Sequence, residues 1–161
     1  MTMLRETAMS AIHREQWLPA SLPAVFSFFS DAGNLDRITP PWLRFKILGE
    51  SELVLSTGTL IHYRLAWYGI SMKWTSRIEE WRRPTRFVDV QLKGPYRRWH
   101  HTHIFESRDG GTLISDTVHY EVPMGAVGNF FAGWMVRRDV ERIFDYRAEQ
   151  ISTIFKEPAA L

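Results

Sequence analysis

Residues 87–120 read FVDVQLKGPYRRWHHTHIFESRDGGTLISDTVHY, and the alternation inside this stretch decides the fold. Side chains on a strand point by turns to its two faces. Tyr96 to Glu106 therefore gathers Trp99, His101, His103 and Phe105 on one face and sends Arg98, His100 and Thr102 to the other. Asp109-Gly110-Gly111 is a turn signal between alternating runs. Thr112 to Val122 returns with Ile114, Asp116, Val118 and Tyr120 in phase. A loop of two or four residues sets His103 directly opposite Asp116, and His101 opposite Val118. One strand earlier Phe87, Asp89 and Gln91 share a face in the same way, and a three- or five-residue loop around Gly94-Pro95 pairs Asp89 with His101. An apolar wall carrying a few convergent polar groups suits a small-molecule cavity better than a solid core.

Working outward toward the N-terminus, Ile12 to Leu18 alternates and is stopped by Pro19. Ser21 offers a helix N-cap with Pro23 in the first turn, and Val25, Phe26, Phe28 and Phe29 give a short helix its apolar side. Asp31-Ala32-Gly33-Asn34 ends that helix, and Asn34 to Ile38 suits a second helical turn before Pro40-Pro41 imposes an extended chain. Strands are expected over Trp42 to Glu50, Thr59 to Trp67, Ile70 to Trp81 and Arg86 to Leu92, with turns at Tyr68-Gly69, Arg83-Pro84 and Gly94-Pro95. Within them Ile61, Tyr63, Leu65 and Trp67 alternate; Ile70, Met72, Trp74 and Ile78 oppose Lys73, Thr75, Arg77 and Glu79.

After Pro123 the period changes from two to that of a helix. Phe130, Gly133, Val136, Val140, Ile143, Phe144, Ile151 and Ile154 define one long amphipathic helix over Ala126 to Phe155. The order of elements is α+β: an antiparallel sheet of about seven strands, two short helices after the first strand, and a terminal helix around which the sheet can curl.

A chain of 161 residues can bury one core without disulfides or metal. The absence of cysteine rules out thiol redox chemistry and thiolate metal sites. No apolar run approaches the roughly 20 residues that span a bilayer, and Met1 to Ser10 lacks a signal-peptide core. A soluble, cytoplasmic protein is expected, with no stable membrane insertion. The net charge is only +2 and the arginines are scattered, which argues against a nucleic-acid partner. Seven tryptophans and ten phenylalanines supply rings that line a hollow as readily as they fill a core. Residues 1–10 read as a flexible N-terminus and 11–157 as a single domain.

Asn34-Leu35, Thr39-Pro40-Pro41, Phe87-x-Asp89-x-Gln91, Gly94-Pro95-Tyr96 and the Trp99, His101, His103, Phe105 series, in this order of elements, resemble the START-like SRPBCC superfamily. The similarity is to its polyketide cyclase/dehydrase, lipid-transport and coenzyme-Q-binding-like branch and runs from Ile12 to Phe155. It implies a helix-grip fold, in which a curved antiparallel sheet wraps the C-terminal helix and encloses a hydrophobic cavity. It implies no single activity, because the superfamily holds carriers, receptors and cyclases.

Two functions from different classes follow. One is binding or transport of a hydrophobic small molecule: a lipid, quinone, isoprenoid or polyketide. Its wall is expected from Trp74, Phe87, Asp89, Gln91, Trp99 and His101, then His103, Phe105, Asp116, Val118 and Tyr120, with Phe130 and Trp134 from the helix. The other is a polyketide cyclase or dehydratase with His103 and Asp116 as the catalytic acid/base pair and Tyr120 or Gln91 steadying an enolate. The same His103 and Asp116 also read as a cross-strand hydrogen bond satisfying two half-buried groups, and Asp89 as either a ligand contact or a buried ion pair. His101 and His103 with the two aspartates resemble a two-histidine-carboxylate metal set, but no third histidine shares the face: His100, His62 and His119 point outward. No metal and no cofactor is expected. Gly125 to Gly128 and Pro40-Pro41-Trp42 read as either cavity rims or plain connections. Arg137 and Arg138 read as a greeting for an acidic head group or as a solvated face.

Overall fold

The computed structural model describes residues 9–49 and 53–156. The expected flexible N-terminus and the expected domain end at residue 157 fall largely or wholly outside these residues. The chain runs β1 (Ser10–Leu18), α1 (Leu22–Phe29), 3-10 turns over Ala32–Ile38 and Pro41–Leu43, then β2 (Lys46–Ile47) and β3 (Leu60–Trp67). It continues through β4 (Ile70–Arg82), β5 (Arg86–Lys93), β6 (Arg98–Arg108), β7 (Gly111–Glu121) and α2 (Gly125–Lys156). All seven strands form one antiparallel sheet in the order β1-β7-β6-β5-β4-β3-β2. With the terminal helix and the short helices after β1, this is the α+β helix-grip architecture.

The β6–β7 register follows from its turn. Asp109 and Gly110 both take positive φ, 51° and 74°, so the loop holds two residues and matches the right-handed twist of the strands it joins. His103 then faces Asp116 and His101 faces Val118, while β5 brings Asp89 opposite His101 and Phe87 opposite His103. β4 carries two register shifts against β5, at Thr75/Ser76 and Ile78/Glu80. Such bulges bend a strand and deepen its twist, and here they curl the sheet.

One expectation fails between α1 and β3 and another holds only in part. Trp42 to Glu50 is not a strand: only Lys46–Ile47 pairs, and Glu50 lies outside the described residues. The extended chain expected at Pro40-Pro41 is seen at Pro40, at φ −57° and ψ 138°, but not beyond it. Pro41 opens a 3-10 turn, a position where its missing N–H costs nothing, and Arg44 follows in the left-handed region at φ 47°, redirecting the backbone before pairing begins.

Packing is uneven along and across the sheet. Val136, Val140 and Phe144 of α2 pack on Ile12, Val118 and Tyr120, so the helix lies against the β1–β7 side. At its C-terminal end Ile151 joins Phe26, Phe29, Phe105 and Ile114, which closes that end of the fold. Each such fully buried apolar side chain contributes roughly 1.5–3 kcal/mol. The β3–β5 side has no equivalent seal against the helix, and the space there stays open.

Candidate functional site

A cavity of about 210 Å³ lies between α2 and the concave face of β3 to β6. A buried water needs only about 10–15 Å³ on a comparable measure, so this is no packing flaw. Strand alternation supplies the wall: Ile61, Tyr63, Leu65 and Trp67 from β3, and Trp74, Ser76 and Ile78 from β4. Val136, Val140 and Phe144 close it from the helix, and Ile38, Leu43 and Phe45 from the segment after α1. A second hollow of about 370 Å³ adjoins it, sharing Trp67, Tyr96 and Val136 and opening beside Met124, Val127 and Phe131 at the start of α2.

Of the residues expected in the wall, Trp74, Phe87, Asp89, Trp99, His101 and His103 line the cavity. The others lie elsewhere. Gln91 is engaged by the backbone: its Nε2 donates to the Tyr96 carbonyl at 2.6 Å and its Oε1 accepts from the Tyr96 N–H at 3.2 Å, bracing the β5–β6 turn. That engagement leaves it unable to steady an enolate. Phe105 belongs to the core under α1, and Val118 and Tyr120 to the core under α2. Asp116 stands behind the histidines rather than at the cavity surface. Phe130 and Trp134 are 80% and 67% exposed, because at this end of α2 it is Ala132 and Val136 that turn to the core. His62 and His100 do face outward, toward Thr75 and Glu79.

The polar floor of the cavity is a four-membered cluster. His103 Nε2 lies 2.8 Å from Asp89 Oδ2, and His101 Nε2 lies 3.2 Å from Asp116 Oδ1. His103 Nδ1 is also 2.8 Å from Asp116 Oδ1, but its N–H is not aimed along that line, so the attraction there is one of charge to charge. The His103 ring stacks on Phe87 with centroids 4.0 Å apart, and the two histidine rings are 3.7 Å apart. Asp89, His101 and His103 each place one donor atom within 4.8 Å of the others, the set that would hold a divalent ion. In the arrangement described, each facing histidine nitrogen is instead directed at or pressed against a carboxylate.

These contacts fix the charges. Burial opposes the ionised form of Asp116, but the His103 charge, the close approach of His103 Nδ1 and the hydrogen bond from His101 outweigh it and hold the carboxyl well below its usual range. Asp89 is lowered in the same way, with burial overcome by the His103 hydrogen bond and the nearby positive charges, Arg147 among them. For His103, burial is outweighed by Asp116 and Asp89, and its pKa rises. For His101, burial and the His103 charge prevail, pushing it down to about 4. The cluster thus sets two carboxylates held in their ionised form against one imidazole whose protonated form is favoured and one whose neutral form is favoured.

Among the cavity groups beyond those expected from the sequence are two charged residues of α2. Asp139 accepts from Trp67 Nε1 at 3.0 Å and pairs with Arg138. Arg147 reaches the cavity from α2 with its guanidinium 5.5 Å above the Phe29 ring. Its signal was present: Val136, Val140, Phe144 and Ile151 form the buried stripe of α2, and Arg147 stands in that stripe where an apolar residue is due.

A curved antiparallel sheet gripping a long helix over a mostly apolar chamber defines the helix-grip class of ligand-binding folds. The chain belongs to the polyketide cyclase / dehydrase and lipid transport family, whose profile matches residues 18–144. No curated protein matches it in sequence. Among solved structures, a protein from Arthrobacter aurescens is similar at 15% identity and TM-score 0.70, covering 92% of this chain and 87% of its own. Ginseng major latex-like protein 151 from Panax ginseng is similar at 10% identity and TM-score 0.68, covering 93% and 99%. Protein Ms6760 from Mycobacterium smegmatis is similar at 14% identity and TM-score 0.66, covering 91% and 90%. At these identities the likeness is one of fold.

Proposed function

We propose that this protein binds and carries a hydrophobic small molecule, a lipid, quinone, isoprenoid or polyketide, inside the chamber between α2 and the sheet. The observation that carries this reading is the cavity itself: a hollow with an aromatic and aliphatic wall and a few polar groups gathered at one side. A folded chain gains by filling such a space with its own side chains, so leaving it open needs an occupant to explain it. Membership of a family described by lipid transport as well as by cyclisation supports the same reading.

The cyclase or dehydratase alternative asks for a base with a lone pair facing the substrate. Both nitrogens of His103 stand against carboxylates, the ring is 2% exposed, and Asp116 is shielded from the chamber by the histidines. The geometry therefore favours an orienting floor over an acid/base engine. Titration of lipid-stripped protein with the neutral fluorophore N-phenylnaphthylamine tests the carrier reading. Saturable binding of one molecule per chain, displaced by long-chain lipophiles, is expected. A linear, non-saturating signal would refute it.

A further inference from the structure

The polar side chains of the chamber differ in what they have left to offer. Asn34 donates to the Phe28 carbonyl, Thr39 to the Leu35 carbonyl, and Trp74 to Ser76 Oγ. Asp31 accepts from the Gly33 N–H, and Asp139 from Trp67. Asp89, His101 and His103 hold one another. Tyr96 and Trp99 also line the chamber without a side-chain hydrogen bond, but Arg147 alone adds charge to that: among the described residues its buried Nε has no hydrogen-bond acceptor, and no carboxylate oxygen approaches its guanidinium within ion-pair distance. A buried donor without an acceptor is destabilising, the more so for a charged group. Its planar fork is held over Phe29, on the chamber wall, ready-made for an oxygen acceptor.

The surrounding charges narrow that acceptor. Two carboxylates, Asp89 and Asp116, face two imidazoles, and only that of His103 is favoured in its charged form, so at most one imidazole charge offsets them. Arg147 supplies a further positive charge against these two carboxylates, Asp139 on the chamber wall being paired with Arg138. A carboxylate or phosphate head brought to Arg147 would upset that balance in a buried site, near an Asp89 already sensitive to the arginine's charge. An uncharged oxygen would not.

We infer that Arg147 is the anchor for the polar end of the bound lipophile, and that this end is an uncharged carbonyl oxygen, as in a ketone, quinone or ester. The inference rests on the carrier reading and narrows its ligand class. The test is displacement of N-phenylnaphthylamine at neutral pH by a long-chain methyl ketone, the fatty acid of equal chain length and the parent alkane, for wild type, Arg147→Met and Arg147→Lys. Wild type should take the ketone more tightly than the fatty acid. Arg147→Met should weaken ketone binding about tenfold or more, at least fivefold more than it alters binding of the alkane or the fluorophore, and Arg147→Lys should restore part of the loss. Unchanged ketone affinity in Arg147→Met, or a fatty acid that outcompetes the ketone in wild type, overturns the inference and leaves the carrier reading standing. Failure of wild type to bind the fluorophore or any of the three lipophiles removes both.

Discussion

The imidazole of His103 is held by Asp89, with Nε2 2.8 Å from Oδ2, although the residue directly across the ladder from Asp89 is His101. The carboxylate reaches diagonally along its strand, past its register partner, and leaves His101 to Asp116. This crossed pairing favours the charged form of His103 and the neutral form of His101, which has consequences in solution.

The two histidines push stability in opposite directions with pH. His101 binds its proton near pH 4 when folded and near 6.5 when unfolded, so stability falls as pH drops through that window, by about 3 kcal/mol at most. His103 is raised on folding, so its contribution is full below 6.5 and is lost as pH rises toward its folded pKa. The lowered Asp89 and Asp116 add stability above pH 4 that disappears in stronger acid. Urea midpoints should therefore peak near pH 6.5. Side-chain NMR should show His103 charged and His101 neutral there, and Asp89→Asn should lower the His103 pKa.

Binding and turnover should separate at the cluster. His103→Ala and Asp116→Asn are expected to leave lipophile affinity within about tenfold if the pair only orients the floor. Each should also cost stability, up to about 3–5 kcal/mol, because a buried charge loses its partner. Chemical denaturation and fluorophore titration on the same samples distinguish the two effects. A cyclisation activity in wild type that vanishes in both variants would restore the enzyme alternative.

Filling the chamber should abolish binding without unfolding the chain. Leu65 lies between Tyr63 and Trp67 along the wall, and Leu65→Trp puts an indole into open space rather than into packed core. A loss of affinity of at least tenfold is expected, with a change in stability below about 1.5 kcal/mol. A Leu65→Trp protein that binds as well as wild type would place the ligand elsewhere.

Phe130 and Trp134 stand on the outer surface of α2, with Phe130 edge-on to Phe131 and Arg138 over the Trp134 ring. Phe130→Ser and Trp134→Ser should alter chamber affinity by less than about threefold and stability by about 0.5 kcal/mol or less, as exposed positions do. Calorimetry of both variants checks this.

The sequence was most readable where local chemistry dictates geometry. An Asp-Gly turn between alternating strands fixes both the hairpin and the face that His101, His103 and Asp116 share, and it did so without knowledge of the rest of the chain. It could not reveal which carboxylate each histidine takes, because that depends on side-chain reach across three strands. The error at Trp42 to Glu50 came from treating two prolines as strand entry when they instead begin a tight turn. Phe130 and Trp134 were drawn into the chamber by helical periodicity, which says which residues share a face but not which face turns to the core. Arg147 was passed over for the opposite reason. A cation in an apolar stripe breaks the pattern, and that break was itself the signal.

Native mass spectrometry of the protein recovered from its own source cells bears most directly on the open chamber. One small lipophile per chain is expected, shed on treatment with organic solvent and lost in Leu65→Trp. Recovery of wild type at its bare polypeptide mass, with no saturable uptake of added lipophile, would contradict the account.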